Sequence, residues 1–157
     1  MFKRITKPAA FASFMMLVFS VILFSFSNKM GGDSFEVYIN KKLVFQQYVT
    51  RGEAVKSLQV DQSNYNSAIE VYYSHCGQTG TSRTISIRDG QNKVLKEWRF
   101  QDTPGSRTSM ECNVKDIISL QKLSNDNTLN LYYSSHELPG GRLLAAIVVA
   151  NAVRTAP

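Results

Sequence analysis

From residue 34 onward the chain repeatedly alternates apolar and polar positions. In SFEVYIN (34–40), Phe35, Val37 and Ile39 share one parity, and Glu36, Tyr38 and Asn40 the other. An extended strand sends those two sets to opposite faces. KLVFQQYV (42–49) follows almost at once, which predicts a tight hairpin around Asn40-Lys41. SAIEVYYSH (67–75) alternates again, with Ile69, Val71 and Tyr73 inward. RTISIR (83–88), the turn DGQN (89–92) and KVLKEWRF (93–100) form the clearest hairpin, because Asp-Gly is a strong two-strand turn signal. Trp98 shares a parity with Val94 and Phe100 and is read as core. TLNLYYSS (128–135) is another alternating strand. After ELPGG, RLLAAIVVANAV (142–153) loses its polar alternation, as expected of a strand buried on both faces. Helical period is confined to VKDIISLQKL (114–123), with Asn113 as its N-cap. QDTPGSRTS (101–109) is a polar loop broken by Pro104 and Gly105.

Seven or eight short strands and one short helix predict a mainly β fold, an antiparallel β-sandwich. A closed barrel is the alternative. The sequence also echoes itself. SLQVDQSNYNSAIEVYYS (57–74) aligns with SLQKLSNDNTLNLYYS (119–134) when two residues are skipped. Each copy runs through a Gly-containing turn to an arginine, Arg83 or Arg142, and then to an apolar strand. Duplicated halves would make the domain pseudo-twofold.

The N-terminus obeys another pattern. Lys3, Arg4 and Lys7 precede AAFASFMMLVFSVILFSFS (9–27), 19 apolar or small residues. A basic start followed by such a run is the export-signal pattern. The run also reaches the lower edge of a membrane-spanning length, roughly 17–25 residues. Residues 1–27 are therefore a signal peptide or a membrane anchor, 28–33 a linker, and 34–157 the β-domain. Ser25 and Ser27 place small residues at −3 and −1 of a cut before Asn28. An uncleaved 9–27 would hold the domain on the outer side of the inner membrane. The expected location is the periplasm or cell envelope, with no membrane contact except through that segment.

This changes the charge picture. Three of the 18 basic residues lie in the leader, which leaves 15 against 12 acids. No block of five or six like charges occurs, so nucleic acid is not an expected partner. Cys76 and Cys112 are an even pair, expected to form one disulfide in an oxidising compartment. Closing a loop of that length would stabilise the fold by about 3–4 kcal/mol.

Polar residues gather in YYSHCGQTGTSR (72–83), which offers Ser74, His75, Cys76 and Arg83, and in Ser134, Ser135, His136, Glu137 and Arg142. No Cys-x-x-Cys, His-x-x-x-His or His-Glu-x-x-His spacing occurs, so neither a metal site nor a cofactor is implied. No Gly-x-Ser-x-Gly elbow is present. Adjacent strand residues such as Ser74, His75 and Cys76 point to opposite faces, which argues against a nucleophile–base pair among them. Tyr72 and Tyr132 take the outward parity if Tyr73 and Tyr133 face the core. Tyr38 and Tyr48 also lie opposite the apolar face of their strands. A tyrosine-bearing sheet face with Glu70, Asn130 and nearby arginines suits a sugar or an extended peptide. The candidate binding residues are Tyr72, Tyr132, His75, His136, Arg83 and Arg142.

The order of DSFEVYINKKLVFQQYV, YYSHCG, VLKEWRF, VKDIISLQKL, LNLYYSS and ELPGGR behind an export signal resembles short exported all-β single-domain proteins of Gram-negative bacteria with no assigned function. That resemblance implies an envelope location and brings no catalytic residues. The function expected is a non-enzymatic binding or interaction module, its partner an envelope protein or a glycan. Two alternatives remain. One is a small metal-dependent or hydrolytic enzyme using His75, His136 and Glu137. The other is a structural envelope protein pairing through a strand edge.

Overall fold

Strand β1 (Ser34–Ile39) turns into β2 (Lys42–Tyr48) through Asn40 and Lys41, whose φ angles are 53° and 61°. Two consecutive left-handed residues make a hairpin turn whose twist matches the paired strands. The computed structural model describes residues 32–103, 107–124 and 128–150. The export segment, most of the 28–33 linker, Pro104-Gly105 and residues 151–153 lie outside the described residues.

Beyond β1 and β2, the strands are β3 (Lys56–Val60), β4 (Ala68–Ser74), β5 (Thr84–Arg88), β6 (Val94–Arg99), β7 (Met110–Asn113), β8 (Thr128–Ser135) and β9 (Leu138–Val149). Helix α1 covers Val114–Leu123, directly after Asn113 at the N-cap position. The fold is mainly β, with two sheets and one helix. One sheet runs β2-β1-β4-β7 and the other β3-β9-β8-β5-β6. Nine strands therefore lie among the described residues, against seven or eight expected. The pairing is also not antiparallel throughout, since β3 runs parallel to β9. Both β3 and β7 are too short to show clear alternation, at five and four residues.

One hydrophobic cluster joins the two sheets and the helix. It takes Val37, Ile69, Val71 and Met110 from the first sheet, and Leu58, Ile85, Ile87, Leu131 and Ile147 from the second. Each such fully buried side chain stabilises the fold by ~1.5–3 kcal/mol. Helix α1 adds Val114, Ile117 and Ile118, the i, i+3, i+4 stripe that its period predicts. A Lys96–Asp116 ion pair at 2.8 Å ties the helix to β6, and Lys96 also lies over the half-buried Trp98 ring. Across the cluster, Tyr73 of β4 stacks on Tyr133 of β8 with ring centroids 4.1 Å apart.

Several expectations are corrected. Cys76 and Cys112 are both free thiols, one exposed and one buried. Cys112 pairs with Ile69 in the β4–β7 ladder, whereas Cys76 lies seven positions beyond Ile69 in the chain. Seven extended residues cover on the order of 20 Å, and a disulfide needs Cα atoms within ~7 Å. Burial pushes the Cys112 thiol pKa up to about 12. The echo between 57–74 and 119–134 does not extend to structure. Its first members form a strand (β3) and a helix (α1), and β4 and β8 sit in different sheets. Likeness is confined to the strands carrying Tyr-Tyr-Ser, where side-chain alternation alone produces it.

Strand β9 is not buried on both faces. Ala145, Ile147 and Val149 point inward, while Val148 is 36% exposed on the open side of its sheet. Val94 is exposed rather than core, at the edge-strand end of its hairpin. That hairpin also turns differently from the Asp-Gly expectation. The left-handed residue is Asn92 (φ 66°), and the Asp89 carboxylate accepts from the Gln91 and Lys93 N–H groups.

Candidate functional site

Two polar regions stand out, one closed and one open. The closed region caps the end of β4 and β8. Past β4, His75 and Gln78 exchange backbone hydrogen bonds around Cys76 and Gly77, whose φ angles of 51° and 89° make a tight turn. That turn displays Cys76 and keeps His75 on the inward parity of Val71 and Tyr73. The His75 Nδ1 lies 3.5 Å from the Asp33 carboxylate, and its Nε2 lies 3.0 Å from the Tyr133 hydroxyl and 3.1 Å from Ser135 Oγ. Tyr73 donates to Asp33 at 2.9 Å. Burial, then this bond to a carboxylate, raises the Tyr73 pKa, and burial raises that of Tyr133. Arg142, the cross-strand partner of Tyr133, acts on the Tyr73 hydroxyl in the opposite direction, toward a lower pKa.

The Glu137 carboxylate closes the far side. It accepts from the Thr81 N–H at 2.9 Å and the Thr81 hydroxyl at 2.9 Å, and it is also bonded by Ser135. Burial alone would raise its pKa, but these hydrogen bonds prevail and hold it down at about 2. Gly80 fits where no side chain can. A Cβ there would stand 2.6 Å from the Tyr133 hydroxyl and 2.8 Å from both Glu137 Oε2 and His75 Nε2.

Asp33, His75 and Ser135 thus follow the order acid, imidazole, hydroxyl of a nucleophilic triad, which is recognised by geometry rather than by spacing. The surroundings enclose the group. Ser135 is 5% exposed and also bonds Glu137, Tyr133 competes for the same imidazole nitrogen, and Gly80 packs over the group. The arrangement pairs Asp33, Tyr73, His75, Tyr133 and Ser135 with one another where two sheets end, as buried polar groups require, and leaves Arg142 Nε without a partner among the described residues.

The open region is the outer face of the four-stranded sheet. In register, Glu36 of β1 lies opposite Tyr72 of β4, and Tyr38 opposite Glu70, which in turn faces Glu111 of β7. The Tyr38 and Tyr72 rings meet edge to face at 5.4 Å. Arg107 places its guanidinium 4.8 Å from the Tyr72 ring centre, pairs with Glu36, and donates to the Tyr38 hydroxyl. The Tyr38 hydroxyl donates to Glu36 as well, which raises the Tyr38 pKa against the opposing pull of Arg107. Two shallow cavities of about 290 and 370 Å³ adjoin here and share Tyr72 and Arg107 as walls.

The six candidate residues are divided among different places. Tyr72 belongs to this open face. Tyr132 lies on the opposite side of the molecule, outward from the other sheet and under the Arg88 guanidinium at 4.1 Å. Because Tyr73 and Tyr133 stack inside, their outward neighbours must point apart, so no single face carries both. His75 and Arg142 join the closed cluster. Arg83 is 1% exposed and donates to the Gln101 and Thr108 carbonyls, which makes it a strut for the 101–108 loop rather than a surface ligand residue. His136 is exposed, and its backbone N–H donates to the Thr81 carbonyl. Among the described residues, no three His, Cys, Asp or Glu side chains gather as a metal site. The residues not foreseen are Asp33, Arg107 and Glu111, and the close packing of Gly80.

No protein-family model matches the chain, and no curated protein matches it either.

Proposed function

We propose that this protein is an exported, non-enzymatic binding module: a β-sandwich held in the periplasm or cell envelope that receives a ligand on the outer face of its four-stranded sheet. The export part of this reading rests on Lys3, Arg4, Lys7 and the apolar run 9–27, without help from a disulfide. The binding part rests on one observation. Tyr38, Tyr72, Glu36 and Arg107 converge on that face beside two adjoining cavities. Flat rings with polar tips beside charged groups form a surface that can hold a sugar or a peptide strand.

The full chain, tested against panels of glycans and short extended peptides, should capture a ligand. The double variant Tyr38→Ala/Tyr72→Ala should lose at least about tenfold in affinity, a loss of ~1.4 kcal/mol. Tyr132→Ala, on the far side, should bind as the parent does. Equal capture by all three proteins would remove the face from consideration.

A further inference from the structure

We infer that the face carries a seat for an organic cation, an alkylguanidinium or alkylammonium group, between Glu70 and Glu111. This rests on the binding-module reading and names its ligand chemistry. Glu70 and Glu111 are direct cross-strand partners, so their side chains leave the sheet on the same side at close range. Two like charges in such positions oppose pairing of the strands unless something neutralises them. Glu70 is 8% exposed, and among the described residues its carboxylate has neither a hydrogen bond nor an ion pair. The residue is enclosed on its other sides, and a carboxylate so placed gains from a cationic partner. Both carboxylates line the 370 Å³ cavity, into which Glu70 opens. Lys41 and Arg107 line it too, neither within ion-pair distance of Glu70 or Glu111.

The walls select the kind of cation. Tyr38 is the cross-strand neighbour of Glu70 on its other side, and Tyr72 lies two residues along β4 on the same face. A group bound between the carboxylates therefore lies beside two aromatic rings, one of them already in contact with Arg107, and such rings attract organic cations. A hard divalent ion prefers six or more oxygens, and the described residues assemble no such set. The neighbouring Arg107 displays the recognition mode within the chain itself, a guanidinium against Tyr72 with Glu36 as its counter-charge. The Glu70–Glu111 pair repeats those components, and neither Arg107 nor Lys41 on the cavity wall is ion-paired with it.

Calorimetric titration of the full chain with N-acetyl-arginine amide tests this, with N-acetyl-citrulline amide as the uncharged isostere. Arginine amide should bind and citrulline amide should not, and the affinity should fall as salt rises. Glu70→Gln and Glu111→Gln should each weaken binding about tenfold or more. Glu111 is exposed, so its variant answers even if Glu70→Gln folds poorly. Arg107→Ala should vacate the Glu36–Tyr72 seat and raise the stoichiometry from one cation to two. Spermidine as a second titrant separates a free polyamine from a peptide-borne cation, by which of the two binds more tightly. Equal binding of citrulline amide, or full affinity in both glutamine variants, overturns the cation seat. If arginine amide fails while a neutral glycan or peptide still needs Tyr38 and Tyr72, the seat falls and the binding module stands. If nothing needs those tyrosines, both fall.

Discussion

The closed cluster around His75 and the open face around Tyr72 draw on the same residue types, tyrosine, carboxylate and arginine, to opposite ends. In the first, each carboxylate has donors: Asp33 takes Tyr73 and faces His75, and Glu137 takes Thr81 twice. In the second, Glu36 is matched by Arg107, while Glu70 and Glu111 stand opposed with no partner among the described residues. Satisfied polar groups where two sheets end contribute to holding the fold. Opposed carboxylates without a partner contribute nothing of that kind, and the proposed binding role predicts that a ligand supplies what they lack. The same residue types thus stand in two different settings, one internally paired and one with carboxylates left over.

Substitutions can break this contrast, because those in the cluster should change stability and those on the face should change binding. The largest effect is expected at Tyr133, fully buried and stacked on Tyr73. Tyr133→Ala should cost about 3–5 kcal/mol in chemical denaturation, as large-to-small changes at buried aromatics do. Tyr133→Phe keeps the ring, deletes only the hydroxyl against His75, and should cost about 1 kcal/mol. Gly80→Ala comes next. The added methyl would meet three polar atoms inside normal contact distance, and overpacking of that kind costs roughly 1–3 kcal/mol. A Gly80→Ala protein as stable as the parent would mean the cluster is looser than described.

The smallest effect should appear only in acid. The Glu137 pKa is lowered in the folded protein to about 2 from an ordinary 4.5. Its contribution is therefore complete above about pH 4.5 and drains away as pH falls toward 2. Melting temperatures of the parent should drop across that window by more than those of Glu137→Gln. The difference should be slight, because Glu137 is exposed and its interactions are screened by solvent. On the open face, Glu111→Gln should leave stability within about 0.5 kcal/mol, in contrast to the changes at Tyr133 and Gly80.

Much of this fold could be read from alternation alone. The hairpin at Asn40-Lys41, the inward Tyr73 and Tyr133, and the helix beginning after Asn113 all follow from local pattern. Short strands such as Met110–Asn113 hold too few residues for a period, and partner choice, such as β3 beside β9, is set by the whole sheet. The closed cluster lay partly within reach. Residues 71, 73 and 75 share one parity, as do 133 and 135, so His75 and Ser135 belong inside with the two tyrosines. Grouping His75 with the outward Tyr72 and Tyr132 as a binding residue overlooked that continuity. Asp33, assigned to a linker, offered no local signal, because only the folded β1–β4 pairing brings it to Tyr73. Arg107 was hidden in the same way, since it reaches Glu36 from a loop 71 positions away. The cysteine pair misled because an even count says nothing about where a ladder will place each thiol.

The parallel pairing of β3 with β9 also bears on how the protein is made. Lys56 meets Ala145, 89 positions further on, whereas most other strands find partners close by. A ribosome or a translocation pore delivers residues in order, so β3 emerges long before the one strand that can cover it. Until then its backbone amides stay open to water or to a neighbouring chain. The second sheet can close only when nearly all of the domain has passed through.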